Sequence, residues 1–429
     1  MKKMALGWMI ILLSAAACSK NGGGSDEEAR ITDMSLDKTS LNLYTTDRER
    51  LTPITSPSGS FSVRWTTSDK EVAVVDEKGA VKATGAGTAV ITATIGGKSA
   101  TCQVSVSPAV FVAGYNSWDN EIFLWKNGKR WILNENQYAS IEDMVIYEGD
   151  VYLVGSRASS IYGAKAILLK LSATIPGEQP HANDEEQYVM ESTSKYSSGY
   201  GVFVANGDMY VCGEDNFLRE GYTNVYYRCA ALWKNGKVQH LTNNTSGDSY
   251  YRARSVFVSG KDVYVVGQKD KRAALWKNGV HQELVCEGTT FVSTYDLSSA
   301  AAVFVSGSDV YVAGVGSFPS SVPSLDMPSH KAILWKNGVA QILEGPSSYA
   351  NSVYVSGSDV YVAGSAGTLW KNGVVQPVID NARSFYSVFV YGDDVYTAGI
   401  DGKGHHLWKN GELQELEGMG NWVHSVIVK

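Results

Sequence analysis

The sequence predicts an all-β protein in two parts: a small β-sandwich, followed by a seven-bladed β-propeller closed by the C-terminal strand. Three observations predict it. Strand-turn-strand units recur about seven times after residue 108. Asn-Gly pairs, the two-residue signal of a type I′ hairpin, recur at one fixed place in those units. The composition is that of a turn-rich chain: of 429 residues Gly supplies 43, Tyr leads the aromatics with 24, and charged residues are held to 19%. A formal net charge of −7 argues against nucleic acid as a partner, which would call for a basic surface.

The unit is most compact at residues 352–378, SVYVSGSDVYVAGSAGTLWKNGVVQPV. Its first hairpin joins two apolar β-branched and aromatic runs through a Gly/Ser/Asp turn. Its second turns at Asn372-Gly373. Four short strands from one such unit make one blade.

In chain order, residues 1–17 read as a signal segment. Lys2 and Lys3 form the basic start, an apolar run spans 6–13, and Ala15-Ala16-Ala17 precedes Cys18. The apolar run is too short for a stable membrane-spanning helix. The segment resembles a bacterial lipoprotein leader, although Ala15 stands where that family has an aliphatic residue. The resemblance implies lipidation of Cys18 and anchoring in the outer membrane. Residues 18–29 form a flexible polar tether. Its Asp26-Glu27-Glu28 patch resembles the surface-export signals of Bacteroidetes lipoproteins.

Residues 30–107 carry short alternating runs at 35–44, 62–67, 72–75, 80–84, 88–95 and 100–107, each bounded by turn residues. Cys102, in phase with Val104 and Val106, is expected as a small buried hydrophobe. Trp65 with Ser68-Asp69, the run 72–76, Gly79, Val81-Lys82-Ala83, Gly85, Gly87 and the run 89–93 resemble the bacterial Ig-like group 2 (BIG2) domain. That resemblance implies an Ig-like sandwich, used as a stalk or adhesion module, without catalytic residues.

Residues 108–429 are the repeats. A turn Asp recurs at Asp150, Asp208, Asp262, Asp309, Asp359 and Asp394, followed by runs such as VYVAG and preceded by runs such as VFVS. A lone second-strand run at 110–114 opens the domain and a lone first-strand run at 425–428 closes it. The two halves are complementary, so the C-terminal strand is expected to complete the first blade and remove an open edge. LWKNG begins at Leu124, Leu232, Leu275, Leu334, Leu369 and Leu407, and has decayed to LLKLS at Leu168. The repeated Trp is read as packing. The repeated Asp is read as turn chemistry, its carboxylate accepting backbone N–H groups. A ring of catalytic or calcium-binding aspartates is the sharper alternative. The marks of WD40, kelch and sialidase Asp-box repeats are absent from the sequence.

Both tight turns of a unit fall on one face, so the variable connections fall on the other. Among them are 214–228, 315–331 and 172–200, rich in aromatics such as Tyr115, Trp118, Tyr138, Tyr222, Tyr250 and Tyr295. The residue just before each innermost strand is expected to ring a central funnel. Reading the copies gives Glu142, Tyr200, Arg254, Ala301, Asn351, Tyr386 and His424. With Trp422, and without Ala301, these are the candidate ligand-binding residues.

The five cysteines lack CxxC spacing, which speaks against zinc or iron–sulfur binding; a cross-strand Cys212–Cys229 disulfide stays open. No HExxH, GxSxG or phosphate-cradling loop occurs. His405-His406 alone is too little for a metal site. No catalytic residue, metal site or cofactor is assigned. The expected function is a lipid-anchored cell-surface binding or adhesion protein whose loop face recognises a glycan or protein. The rivals are a polysaccharide-active enzyme drawing on Asp119, Glu142, Glu214 or Asp215, and a structural subunit of a surface assembly.

Overall fold

The computed structural model describes residues 31–116, 121–134, 139–160, 163–172, 185–192, 196–218, 226–242, 251–289, 298–319, 329–377, 379, 381–418 and 422–429. The leader, Cys18, the tether, Trp118, Asp119, Tyr138, Tyr222, Tyr250 and Tyr295 lie outside the described residues. Those described are strands and turns, without an α-helix.

The first part pairs Ser40–Tyr44, Lys98–Ser107, Gly87–Ile95 and Arg64–Thr67 into one sheet and Arg48–Arg50, Ala80–Ala83 and Ala73–Val75 into another. Apolar residues at every second position, such as Ala89, Ile91 and Ala93, enter a core with Leu41, Val81 and Val104. Cys102 is fully buried opposite Ile91. The run expected at 35–44 splits at Asp37, whose N–H and carboxylate engage Thr52 at 3.0 and 2.7 Å. Asp33–Leu36 then pairs with Pro53–Ser56 as a separate ribbon.

The remainder forms seven four-stranded antiparallel sheets. The first contains Val110–Asn116, Glu121–Lys126 and Lys129–Asn134, with the C-terminal strand Trp422–Val428 paired to Val110–Asn116. The other six follow in chain order. Their first strands are Ala139–Tyr147, Ser197–Ala205, Arg252–Ser259, Ser299–Ser306, Ala350–Ser356 and Ala382–Tyr391. Successive first strands pack side by side, and Trp422–Val428 touches both Ala382–Tyr391 and Ala139–Tyr147. Phe203, Phe257, Phe304, Tyr354 and Phe389, one from each of five successive first strands, meet ring to ring at centroid distances of 4.6–5.0 Å.

The repeated Trp behaves as the sequence implies: Trp125, Trp233, Trp276, Trp335, Trp370 and Trp408 are all buried. Four of them also stitch sheets together. The indole N–H of Trp233, Trp335 and Trp370 donates to Glu191, Val285 and Glu344 carbonyls at 2.6, 3.1 and 2.7 Å, each just beyond the last strand of the preceding sheet. Trp125 does the same to Glu417 at 2.9 Å, joining the first sheet to the seventh.

The Asn-Gly turns have both residues at positive φ, 54° and 78° at Asn372-Gly373, as a type I′ turn requires. The turn Asp departs from expectation. Its carboxylate accepts side chains, not backbone N–H groups: Asp262 takes Asn278 Nδ2 at 2.8 Å and Lys277 Nζ at 2.7 Å. Asn278 Oδ1 meanwhile accepts Val263 N–H at 2.9 Å. The Asn amide carries both a donor and an acceptor and so serves the backbone and the carboxylate at once. Asp208, Asp309, Asp359 and Asp394 repeat the arrangement, and each carboxylate is held below its ordinary pKa by the Lys and Asn hydrogen bonds. This bracket ties together the two tight turns of a sheet.

The first sheet has no such Asp, and the Ig-like part supplies one. Lys126, buried where its counterparts are half-exposed, pairs with Asp47 at 2.5 Å. Thr45 hydroxyl donates to the Lys429 carbonyl and accepts Ala109 N–H at 3.0 Å. The small domain thus contacts Ala109 and Lys429, the residues flanking the two strands Val110–Asn116 and Trp422–Val428.

Two further expectations change. Cys212 and Cys229 are buried and not bridged to each other; Cys212 faces Leu232 and Cys229 faces Asp215, so they sit apart along the ladder. The stretch 172–200 is not one loop of the variable face. Glu185–Val189 is the fourth strand of the second sheet, so the connection out of Gly163–Ser172 leaves from the tight-turn end.

Candidate functional site at the bulged end of the sheets

The seven funnel candidates do not precede the first strands. Each lies inside one, at a β-bulge. Pairing in the second sheet steps from Ile141 to Asp143 and skips Glu142. The same slip skips Tyr200, Arg254, Ala301, Asn351 and Tyr386. In the first sheet Ala113 and Gly114 face Ser425 and Val423, skipping His424. A bulged residue has no partner in the ladder, and its side chain is turned out of the alternation.

The glycine ending each VYVAG-type run explains why the bulge recurs. A Cβ on Gly267 would stand 1.9 Å from the Arg252 carbonyl oxygen, and on Gly155 1.8 Å from that of Ser140. Gly114, Gly213, Gly314, Gly364 and Gly399 meet the equivalent carbonyl at 1.8–2.2 Å. Only glycine fits against the bulged strand. The spacing of these glycines was the available signal for the bulges.

The bulge residues make contacts in two groups, with Ala301 adding only a methyl group. His424 Nδ1 lies 3.8 Å from Glu142 Oε2. Its ring stacks on Tyr386 at 5.6 Å and 16° and on Tyr115 at 5.4 Å and 20°. Tyr115 in turn stacks on Trp422 at 6.2 Å and 11°, so four rings run near-parallel. His405 lies 4.6 Å from Trp422 and 5.8 Å from Tyr386. On the other side, Arg254 sits over the Tyr200 ring at 6.0 Å. Asn351 Nδ2 donates to the Phe385 carbonyl at 2.8 Å, next to Tyr386. Trp422 is the most open ring of the row, 39% exposed.

Desolvation sets the protonation states. Burial lowers His424 and His405 to about 4, so both rings are neutral at pH 7. Nε2 of His424 meets no hydrogen-bond partner among the described residues. Burial raises the Glu142 carboxyl and pushes Tyr200 up to about 12, the latter with help from Glu214. Beneath the cluster, half-buried Asp143 is raised to about 6 by desolvation although it accepts Val202 N–H and Ser425 hydroxyl, both at 3.2 Å. Asp143 occupies the place held by Ser255, Ser352, Ser387 and Ser425 in other copies. Sequence reasoning passed over it, and over Arg252, which pairs with Glu214 at 3.1 Å. A charge at a position otherwise Ser, Gly or Ala was the signal for Asp143. Of the acids weighed for catalysis, Asp215 is fully buried and bonded to His240 at 2.8 Å. No group of three metal-ligating side chains occurs among the described residues.

Residues 30–104 match the family Bacterial Ig-like domain (group 2), which makes that segment an Ig-like domain of this group. No curated protein matches the chain. Among solved structures, the chain resembles the computationally designed Ika8 protein, with 13% identity, a TM-score of 0.40, and 74% of this chain and 90% of that one covered. It resembles the WD40 beta propeller domain of Doa1, with 13% identity, a TM-score of 0.41 and coverage of 67% and 86%. A third is the beta-propeller domain of the Trilobed protease from Pyrococcus furiosus, with 10% identity, a TM-score of 0.37 and coverage of 65% and 84%. Likeness at this level concerns a propeller-like arrangement and nothing of activity.

Proposed function

We propose that the protein is a lipid-anchored cell-surface binding protein. In this reading the seven sheets are blades of a closed ring, and the bulged end recognises a glycan. Ring closure is supported by the pairing of Trp422–Val428 with Val110–Asn116 and by the Trp125–Glu417 bond between first and seventh sheets. The leader-like residues 1–17, Cys18 and the polar stretch 18–29 support export and anchoring at the outer membrane.

One observation carries the glycan assignment: the row Tyr386, His424, Tyr115 and Trp422 beside Glu142, Tyr200 and Arg254. Apolar sugar faces stack on aromatic rings while hydroxyls take polar groups at fixed places. A protein ligand would use the same anchors. The enzyme reading draws on Glu142, whose raised pKa suits a proton donor. A glycan array, followed by incubation of the bound oligosaccharide and analysis of its length, tests these together. Binding without shortening is the expected result. Shortened products would replace the binding reading with catalysis, and retention of a stoichiometric protein instead of glycan would favour the surface-assembly reading.

A further inference from the structure

Charge at the bulged end is uneven and, granted the glycan reading on which this rests, it selects among glycans. Three guanidinium groups, Arg228, Arg252 and Arg254, gather at the third and fourth sheets. Glu214 is engaged by two of them, at 3.1 Å from Arg252 Nε and 3.9 Å from Arg228 Nη1. Glu142 leans toward His424 at 3.8 Å, and burial raises its pKa, which weakens it as an anion. Arg254 is left without a carboxylate in ion-pair reach among the described residues; its close neighbour is the Tyr200 ring.

Arg254 is open to solvent, yet surrounding protein desolvates it enough to lower its pKa, and Arg252 repels it. Arg254 thus combines solvent access with the Tyr200 ring as a close wall. A guanidinium held there makes its strongest bonds with an incoming carboxylate or sulfate, through two parallel N–H groups. The molecule as a whole carries −7, so this cationic excess is local and opposes the net sign.

We propose that the bulged end binds an anionic glycan, its acidic group paired with Arg254 and its sugar rings on the Trp422 and Tyr386 side. The test is calorimetric titration of the full chain with a galacturonate trimer, a sulfated galactose trimer and the neutral galactose trimer, at low and physiological salt. The expected result is binding of an acidic trimer at least about tenfold tighter than the neutral one, weakening as salt rises. The two acidic arms tell a carboxylate from a sulfate. Arg254→Gln, at an unchanged melting temperature, is expected to erase the preference for the acidic trimers over the neutral one. If that variant does not fold, Arg254→Lys and the salt dependence of the unmodified protein carry the test. Equal affinity for neutral and acidic trimers would overturn the anionic assignment while leaving a glycan site standing. Binding of none of the three would overturn both.

Discussion

The two ends of the sheets follow opposite rules. At the tight-turn end the same three side chains recur: Asp, Lys and Asn close a bracket in the third to seventh sheets at nearly the same distances. At the bulged end six residue types occupy seven equivalent positions. The difference shows how a repeat protein separates scaffold from site. The bracket depends on side chains, so those side chains repeat. The bulge depends on backbone geometry and on the glycine opposite, so the bulged residue itself is unconstrained. A constant backbone device thus presents a variable side chain.

The largest expected effect tests that dependence on glycine. Gly267→Ala forces a Cβ against the Arg252 carbonyl and is expected to destabilise by more than about 3 kcal/mol in urea denaturation. Gly307→Ala, in a tight turn at φ +58° with open space around it, is expected to cost about 1 kcal/mol. Equal losses would remove the argument that the bulge fixes the glycine.

Next comes the Lys126–Asp47 pair, which crosses domains. Lys126→Ala removes one partner of a largely buried pair and is expected to cost about 3 kcal/mol. Lys336→Ala breaks the same motif where solvent screens it and is expected to cost distinctly less. Matching values would mean that Asp47 does not stand in for the repeat Asp.

Asp143→Asn gives a smaller, pH-dependent effect. The folded carboxyl titrates at about 6, above the 3.8 of the free acid, so the folded state holds its proton longer. The native contribution is therefore fully present below about pH 4 and is lost as pH rises through about 6. The amide variant is expected to be more stable by roughly 2 kcal/mol near pH 7.5 and to gain nothing near pH 4. Melting temperatures across that range check it, and a gain independent of pH would show that the carboxyl is not the cause.

The architecture was legible because it is written in repetition: six LWKNG runs, the turn Asp and the two complementary half-units. The free position was legible too, as variation against a constant background. That it is a bulge was not, because a skipped residue exists only in the pairing of two strands. Glu185–Val189 was hidden because it is polar where other copies are marked by Asn-Gly. Asp47 was out of reach for another reason: its contact with Lys126 joins positions far apart, in a domain with a different sequence pattern.

Most direct is a glycan-binding comparison between Tyr386→Ala/Trp422→Ala and Asp309→Ala/Lys336→Ala. Both double variants are expected to fold, with melting temperatures close to the parent. The first is expected to lose binding and the second to bind as the parent does. Undiminished binding by the first, or loss confined to the second, would contradict the assignment of recognition to the bulged end.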